Sequence, residues 1–276
     1  MNLTSVKTIR EVLSEYQAKP SRGLGQNFLV DTHAIDKLLA AAQLTQEDTV
    51  LEIGPGIGTL TQKLAQRAKR VVTIEKDKKM VEILKETLSD CLNVEIVHGD
   101  ALKTDYTKYD IQDTRYKVVA NLPYYITAPI IRKLLEEESK PASLTLIVQK
   151  EVAQRICTKP PKMSILAVSV QVYATPKIVS YIKRNSFWPQ PRVDAAILQI
   201  TPLPQSYTQD FPKFFTVVKA GFKQPRKQLV NNLSQGLNLT RKKTEQWLLA
   251  NTIQPARRAE TLTIQDWINL AQKSLK

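Results

Sequence analysis

Four short stretches of this 276-residue chain carry groups able to bind or transform a small molecule, and they recur at regular intervals. Gly54, Gly56 and Gly58, three of only eight glycines, follow the apolar run Thr49 to Ile53. Glu75 comes 17 residues after Gly58, Asp100 comes 25 after that, and Asn121 a further 21 on. Each gap has about the length of a helix plus a strand in a right-handed βαβ unit, so the spacing predicts four strand ends on one edge of a parallel sheet. That carboxyl edge is where open α/β sheets bind ligands. Glycines there let the backbone take positive φ and approach a nucleotide closely. A carboxylate one unit later, at Glu75, suits the two hydroxyls of a ribose. The Gly-x-Gly-x-Gly spacing differs from the Gly-x-Gly-x-x-Gly of dinucleotide sites and favours a smaller nucleoside, but the glycines and Glu75 do not by themselves exclude an NAD enzyme. Asp100, after the strand-like Val94 to Val97, could accept from an adenine amine or serve as a turn cap.

Asn121-Leu122-Pro123-Tyr124 points to a particular reaction. It follows the apolar run Lys117 to Ala120, so its polar atoms belong at the sheet edge. Proline fixes φ and removes a donor, which helps to turn the Leu122 carbonyl outward beside the Asn121 side-chain oxygen. Two acceptors then face one point. An aromatic amine such as adenine N6 is a poor nucleophile, because its lone pair is delocalised into the ring. Acceptors that hold both of its hydrogens favour a pyramidal nitrogen with the lone pair aimed at an electrophile. Tyr124 offers a flat surface for the base. In isolation these four residues read as a proline turn with tyrosines in the core; at the fourth strand end of a nucleoside-binding sheet the chemical reading prevails.

These residues carry a resemblance that extends over the whole chain. It resembles the KsgA-type small-subunit ribosomal RNA adenine dimethyltransferases, which use S-adenosylmethionine. The matching stretches are Gly25-Gln26-Asn27-Phe28-Leu29-Val30-Asp31, Glu52-Ile53-Gly54-Pro55-Gly56, Asn121 to Tyr124, and Ser186-Phe187-Trp188-Pro189-Gln190-Pro191-Arg192-Val193-Asp194-Ala195-Ala196. Phe222-Lys223-Gln224-Pro225-Arg226-Lys227 with Asn231-Asn232-Leu233, and Arg258-Ala259-Glu260-Thr261-Leu262, extend it into the last quarter. The resemblance implies an α/β fold, a Rossmann-like methyltransferase sheet with a small C-terminal all-helical domain. It implies N6,N6-dimethylation of two adjacent adenosines near the 3′ end of small-subunit (16S) ribosomal RNA during ribosome biogenesis. Carried over by position, it implies that Asn27, Leu29, Gly54, Glu75, Asp100 and Asn121 contact the methyl donor. Asn121, the Leu122 carbonyl, Pro123 and Tyr124 would hold the target adenine. Phe187 would be a second stacking residue, although the residue itself reads equally well as core packing in a proline-rich crossover. Three positions depart from the family pattern. Tyr125 stands where many members carry asparagine, Pro225 where arginine is common, and Lys162-Met163-Ser164-Ile165-Leu166 lacks the usual preceding Tyr-Gly.

Composition agrees with a polyanionic partner. The chain has 40 Lys or Arg against 26 Asp or Glu, a formal +14, and a pI near 9.7. Residues 203–276 hold 12 basic against 4 acidic side chains, a net +8, whereas residues 1–202 hold 28 against 22, a net +6. Lys223, Arg226 and Lys227 around Pro225, and Arg241, Lys242 and Lys243 opening a helix, are candidate phosphate contacts; the simpler alternative is a solvated basic face. The element pattern breaks at the same place, where strand-like Ala195 to Ile200 runs into Thr201-Pro202-Leu203-Pro204. Beyond it the pattern predicts helices over 212–220, 225–235, 241–250 after Thr240 as N-cap, and 264–273 after Thr263. The expected domains are therefore 1–202, donor-binding and catalytic, and 203–276, helical and RNA-binding. Upstream, Asp31 should cap a helix with Ile35, Leu38, Leu39 and Ala42 on one face. Residues 170–173 and 177–181 read as late strands, one of them antiparallel to the rest.

An apolar content of 42% supports one large and one small domain. No run approaches the roughly 20 apolar residues of a membrane span, and no signal peptide is expected. Cys91 and Cys157, with His33 and His98, lack a ligand spacing; buried thiols in a reducing cytoplasm and no metal are expected. The combined expectation is a monomeric cytoplasmic enzyme acting on small-subunit ribosomal RNA or the pre-30S particle, away from membranes. One alternative is a large-subunit ribosomal RNA adenine N6-methyltransferase of the antibiotic-resistance type, in which serine tends to replace Pro55. Another is an assembly factor that binds RNA without needing catalysis, against which the intact Glu75, Asp100 and Asn121 argue.

Overall fold

In the computed structural model, which describes all residues except 22, 110, 112–115, 205–209 and 274–276, the β-branched and leucine-rich runs become strands and the amphipathic segments between them become helices. In chain order the elements begin with α1 (Val6–Glu15), β1 (Phe28–Leu29), α2 (Thr32–Ala42), β2 (Thr49–Ile53), α3 (Thr59–Ala65), β3 (Arg70–Glu75) and α4 (Lys78–Thr87). They continue through β4 (Val94–His98), β5 (Lys117–Asn121), α5 (Thr127–Glu136), β6 (Ser143–Gln149), α6 (Lys150–Ile156), α7 (Ile165–Gln171) and β7 (Ala174–Ile182). The last are β8 (Phe187–Trp188), β9 (Ala195–Pro202), α8 (Phe211–Gly221), α9 (Leu229–Gly236), α10 (Arg241–Ala250) and α11 (Ile264–Gln272).

Seven strands form one sheet in the order β4-β3-β2-β5-β6-β9-β7. The pairs β2–β3, β3–β4, β2–β5 and β5–β6 are parallel, and β9 runs antiparallel to β6. The chain winds outward from β2 to β4, then crosses back to β5. The reversal leaves a crevice between β2 and β5 at their carboxyl ends, the usual ligand position in such sheets. All five residues of β2 are buried, as a central parallel strand covered on both faces requires. Asp31 caps α2 by accepting from the backbone of His33 and Ala34 at 3.0 and 3.2 Å. That fixes the helix so that Ile35, Leu38, Leu39 and Ala42 enter one core with Val50, Val71, Val119, Ile147 and Ile197.

The chain divides into two compact units, one of residues 1–153 and 176–202, the other of 154–175 and 203–276. The division falls after residue 202, where the sequence pattern breaks, and residues 154–175 cluster with the C-terminal helices. Within that unit Met163 N–H donates to the Glu260 carbonyl at 2.9 Å, and the Tyr173 ring stacks on Phe211 with centroids 4.4 Å apart. Residues 170–173 also differ from the expected strand. Ser164 caps a helix by accepting from Ala167 N–H at 3.1 Å, and Ala167, Val168 and Val170 are buried, so tertiary packing overrides the β-branched propensity. The helix expected from Pro225 starts at Leu229 instead. Asn232 Nδ2 donates to the carbonyls of Gly221 and Gln224 at 2.7 and 2.9 Å, which closes residues 221–228 into a loop.

Candidate active site

The turn after β2 requires glycine at two points. Gly54 and Gly56 sit at φ +69° and +61°, and a Cβ on Gly56 would lie 2.9 Å from Phe28 Cε1. A Cβ on Gly54 would lie 3.3 Å from Pro123 Cδ, so the glycine turn and the Asn121 to Tyr124 turn nearly touch. Between them and the ends of β3 and β4 opens a cavity continuous with solvent. Asn27, Leu29, Gly54, Glu75, Asp100, Asn121, Leu122, Pro123 and Tyr124 all line it. The regular spacing of the motifs thus becomes one concave surface.

The carboxylates in this surface differ in environment. Glu75 is buried, with Oε2 accepting from Gly56 N–H at 3.1 Å and Oε1 from Asp77 N–H at 2.8 Å. Each oxygen keeps a lone pair for a ligand hydroxyl. Burial raises its pKa, and the backbone donors oppose the shift. Asp100 pairs through Oδ2 with Lys76 Nζ at 2.9 Å and accepts from Leu102 N–H through Oδ1 at 3.0 Å. The Lys76 hydrogen bond is the main reason its pKa lies below the usual carboxylate value. Glu52, a further carboxylate in the lining, was not singled out from the sequence. It is 1% exposed, and burial pushes its pKa up to about 8, with the Glu75 charge adding to the rise. Its Oε2 has no hydrogen-bond partner among the described residues. The available signal was a lone carboxylate inside the fully buried strand Thr49 to Ile53.

Asn121 is the best-defined polar group. Its Nδ2 donates to the Asn27 carbonyl at 3.0 Å, and Asn27 Nδ2 in turn donates to the Gly25 carbonyl at 3.0 Å. A carbonyl can only accept, so this contact fixes which way the Asn121 amide is turned and leaves Oδ1 as the acceptor for a ligand amine. Leu122 N–H donates to the Ile147 carbonyl at 3.1 Å, which holds the next residue of the turn to β6. The Tyr124 ring borders the cavity while its hydroxyl is buried, and burial pushes its pKa up to about 12. The surface can therefore hold a nucleoside along the glycine turn and an exocyclic amine at Asn121.

Phe187 is not part of this surface. It pairs with Leu29 in the two-stranded β1–β8 ribbon and is 3% exposed, packed in the core that contains Leu29, Ile35 and Leu38. Of the two readings of Phe187, stacking and core packing, its burial here accords with the second. Lys223, Arg226, Lys227, Arg241, Lys242 and Lys243 are all exposed in the second unit. The first three lie on the loop before α9, not in a first helical turn. Arg241 is already engaged, through Nε with Glu245 at 2.8 Å and through Nη1 with Asn231 Oδ1 at 2.7 Å. Among the described residues there is no cluster of His, Cys, Asp or Glu that could hold a metal ion, and no helix long and apolar enough to cross a membrane.

Comparison with known proteins accords with this geometry. The sequence model of the family described as ribosomal RNA adenine dimethylase matches residues 17–275. A "Ribosomal RNA small subunit methyltransferase A" of Dehalococcoides mccartyi (strain CBDB1) is 42% identical over 264 residues, covering 95% of this chain and 90% of the relative. The protein of the same name from Clostridium botulinum (strain Langeland) is 40% identical over 266 residues, covering 95% and 96%. Among solved structures, a dimethyladenosine transferase from Plasmodium falciparum superposes with a TM-score of 0.74 at 28% identity, covering 88% of this chain and 95% of that one. The 23S rRNA methyltransferase ErmE superposes with a TM-score of 0.71 at 26% identity, covering 89% and 98%. With its motifs gathered at one cavity and its length matched nearly end to end, the chain belongs to the ribosomal RNA adenine dimethylase family.

Proposed function

We propose that the chain transfers methyl groups from S-adenosylmethionine to the N6 atoms of two adjacent adenosines near the 3′ end of small-subunit ribosomal RNA, making each a dimethyladenosine. The observation that carries this reading is the Asn121 amide in the cavity lining, whose Nδ2 is held by the Asn27 carbonyl so that Oδ1 is left to accept. The cavity suits the donor in two respects. Glu75 retains acceptor capacity for ribose hydroxyls, and Asp100 stands where an adenine amine can reach it. When bound, the donor supplies an electrophilic methyl group on a sulfonium centre. Asn121 Oδ1 and the Leu122 carbonyl accept the two N6 hydrogens and direct the nitrogen lone pair. Tyr124 gives the base a face to rest on. Because the methyl carbon is already electrophilic, positioning by these residues provides most of the acceleration. The methylated ammonium is acidic enough to lose its proton to water, so no strong base is needed. The target adenine must leave its stack, or be presented in a loop, to reach Asn121.

The small-subunit substrate is preferred over the large-subunit one because the relatives at 40 to 42% identity are named for the small subunit, whereas the relative named for 23S RNA is 26% identical. The test is mass mapping of small-subunit and large-subunit ribosomal RNA after incubation with labelled donor. Two adjacent dimethyladenosines in the small-subunit RNA are expected, and label confined to large-subunit RNA would overturn the reading. Asn121→Ala should lower single-turnover transfer by more than about 100-fold through lost positioning, with a smaller effect on donor affinity. Near-normal turnover would remove the two-acceptor mechanism.

A further inference from the structure

With Phe187 in the core, the exposed aromatic rings of the first unit among the described residues are Tyr125 and Tyr181, at 51% and 53% exposure. Tyr125 lines the donor cavity, and Tyr181 lies outside that lining. Tyr181 is the penultimate residue of β7, the edge strand of the sheet, where Thr175, Lys177, Val179 and Tyr181 alternate on the exposed face. Lys150 Nζ lies 5.4 Å from the centroid of its ring. A cation behind an exposed ring makes a platform on which any base can stack, with a charge available for phosphate.

The platform stands on the carboxyl edge of the sheet that also carries Asn121. Lys150 N–H donates to the Asp194 carbonyl and Arg184 N–H to Asp194 Oδ1, both at 3.0 Å. The end of β6, the end of β7 and the start of β9 therefore meet at Asp194. In the sheet Asn121 is opposite Ile147, and Lys150 is three residues beyond Ile147 on the same carboxyl edge. Lys183, Arg184 and Arg192 are exposed near Asp194 in the chain, against the acidic Glu151 and Asp194.

We infer that Tyr181, backed by Lys150, is a stacking subsite for a base of the single-stranded RNA that flanks the adenine held at Asn121. The subsite rests on the function proposed above. Lysines on an edge strand also deter strand pairing between molecules, but that role needs no open tyrosine face at the carboxyl edge.

The experiment measures methyl transfer to small ribosomal subunits that lack the dimethyladenosines, with Tyr181→Ala, Tyr181→Phe and the unchanged protein. Donor affinity is measured in parallel by calorimetry. Tyr181→Ala should raise KM for the subunits by roughly 5- to 150-fold, the range for loss of one stacked base, with unchanged kcat and unchanged donor affinity. Tyr181→Phe keeps the ring and should behave as the unchanged protein. A normal KM in Tyr181→Ala, equal damage in Tyr181→Phe, or aggregation as the sole change overturns the subsite. If the unchanged protein transfers no methyl group to these subunits, the proposed function fails first and the subsite with it.

Discussion

Glu52 is neutral at pH 7 because no water reaches it and Glu75 lies nearby, and this makes the donor cavity a source of pH-dependent stability. In the folded chain its pKa is raised from 4.5 to about 8. Its contribution is therefore complete below about pH 4.5 and declines as pH rises through 8, since the folded chain must then bury a charge that the unfolded chain already carries in water. Asp31, Asp48 and Asp100 are shifted down and act in the opposite sense, so the comparison must hold them constant. Glu52→Gln cannot ionise. Between pH 5 and 8 the unchanged protein should lose stability relative to Glu52→Gln by on the order of a few kcal/mol, read as diverging melting temperatures. Parallel pH curves for the two chains would show that Glu52 ionises normally. The sequence made Glu75, Asp100 and Asn121 legible through their spacing, because each ends a strand and strand ends follow from apolar periodicity. Glu52 lies within a strand, where spacing says nothing about whether its neighbours shield it. Phe187 was left open between stacking and core packing for a related reason. Its burial depends on pairing with Leu29, 158 residues earlier, which no local pattern reports.

At the scale of elements, the parallel sheet was legible as far as β5, and so were the caps at Asp31, Thr240 and Thr263. What escaped was the region where one side chain organises several segments. Asn232 ties the end of α8 to the loop before α9, and so shifts Lys223, Arg226 and Lys227 from a helix start onto an exposed loop. This separates the two basic clusters in kind. The loop side chains are exposed, whereas Arg241 is held by Glu245 and Asn231 and would have to give up those bonds to reach a phosphate. Arg226→Ala with Lys227→Ala should therefore lower the salt slope of RNA affinity by about 0.7 to 0.9 for each phosphate that is no longer neutralised. Arg241→Ala with Lys242→Ala should change it less. Binding of the protein to small-subunit ribosomal RNA across a salt series measures both, and equal slopes for the loop variant and the unchanged chain would mean that the loop is merely solvated.

For the molecule as a whole, the second unit is built from two separated stretches of chain. The turn and helix of residues 154–175 bury Met163, Val168 and Tyr173; within the unit, Met163 bonds to Glu260 and Tyr173 stacks on Phe211. A chain ending at Pro202 retains the whole sheet yet leaves that surface bare. It should bind a hydrophobic dye strongly and elute as aggregates where the full chain does not, and a monodisperse, dye-silent fragment would show that residues 154–175 can settle alone. The same interrupted layout sets a schedule for the nascent polypeptide. Met163 leaves the ribosome well before Glu260 is synthesised, and at ~5–20 residues per second its partner arrives roughly 5 to 20 s later. The sheet can close in that interval, but the inserted stretch must wait, so during translation the exposed surface that chaperones would meet is this internal segment rather than either end of the chain.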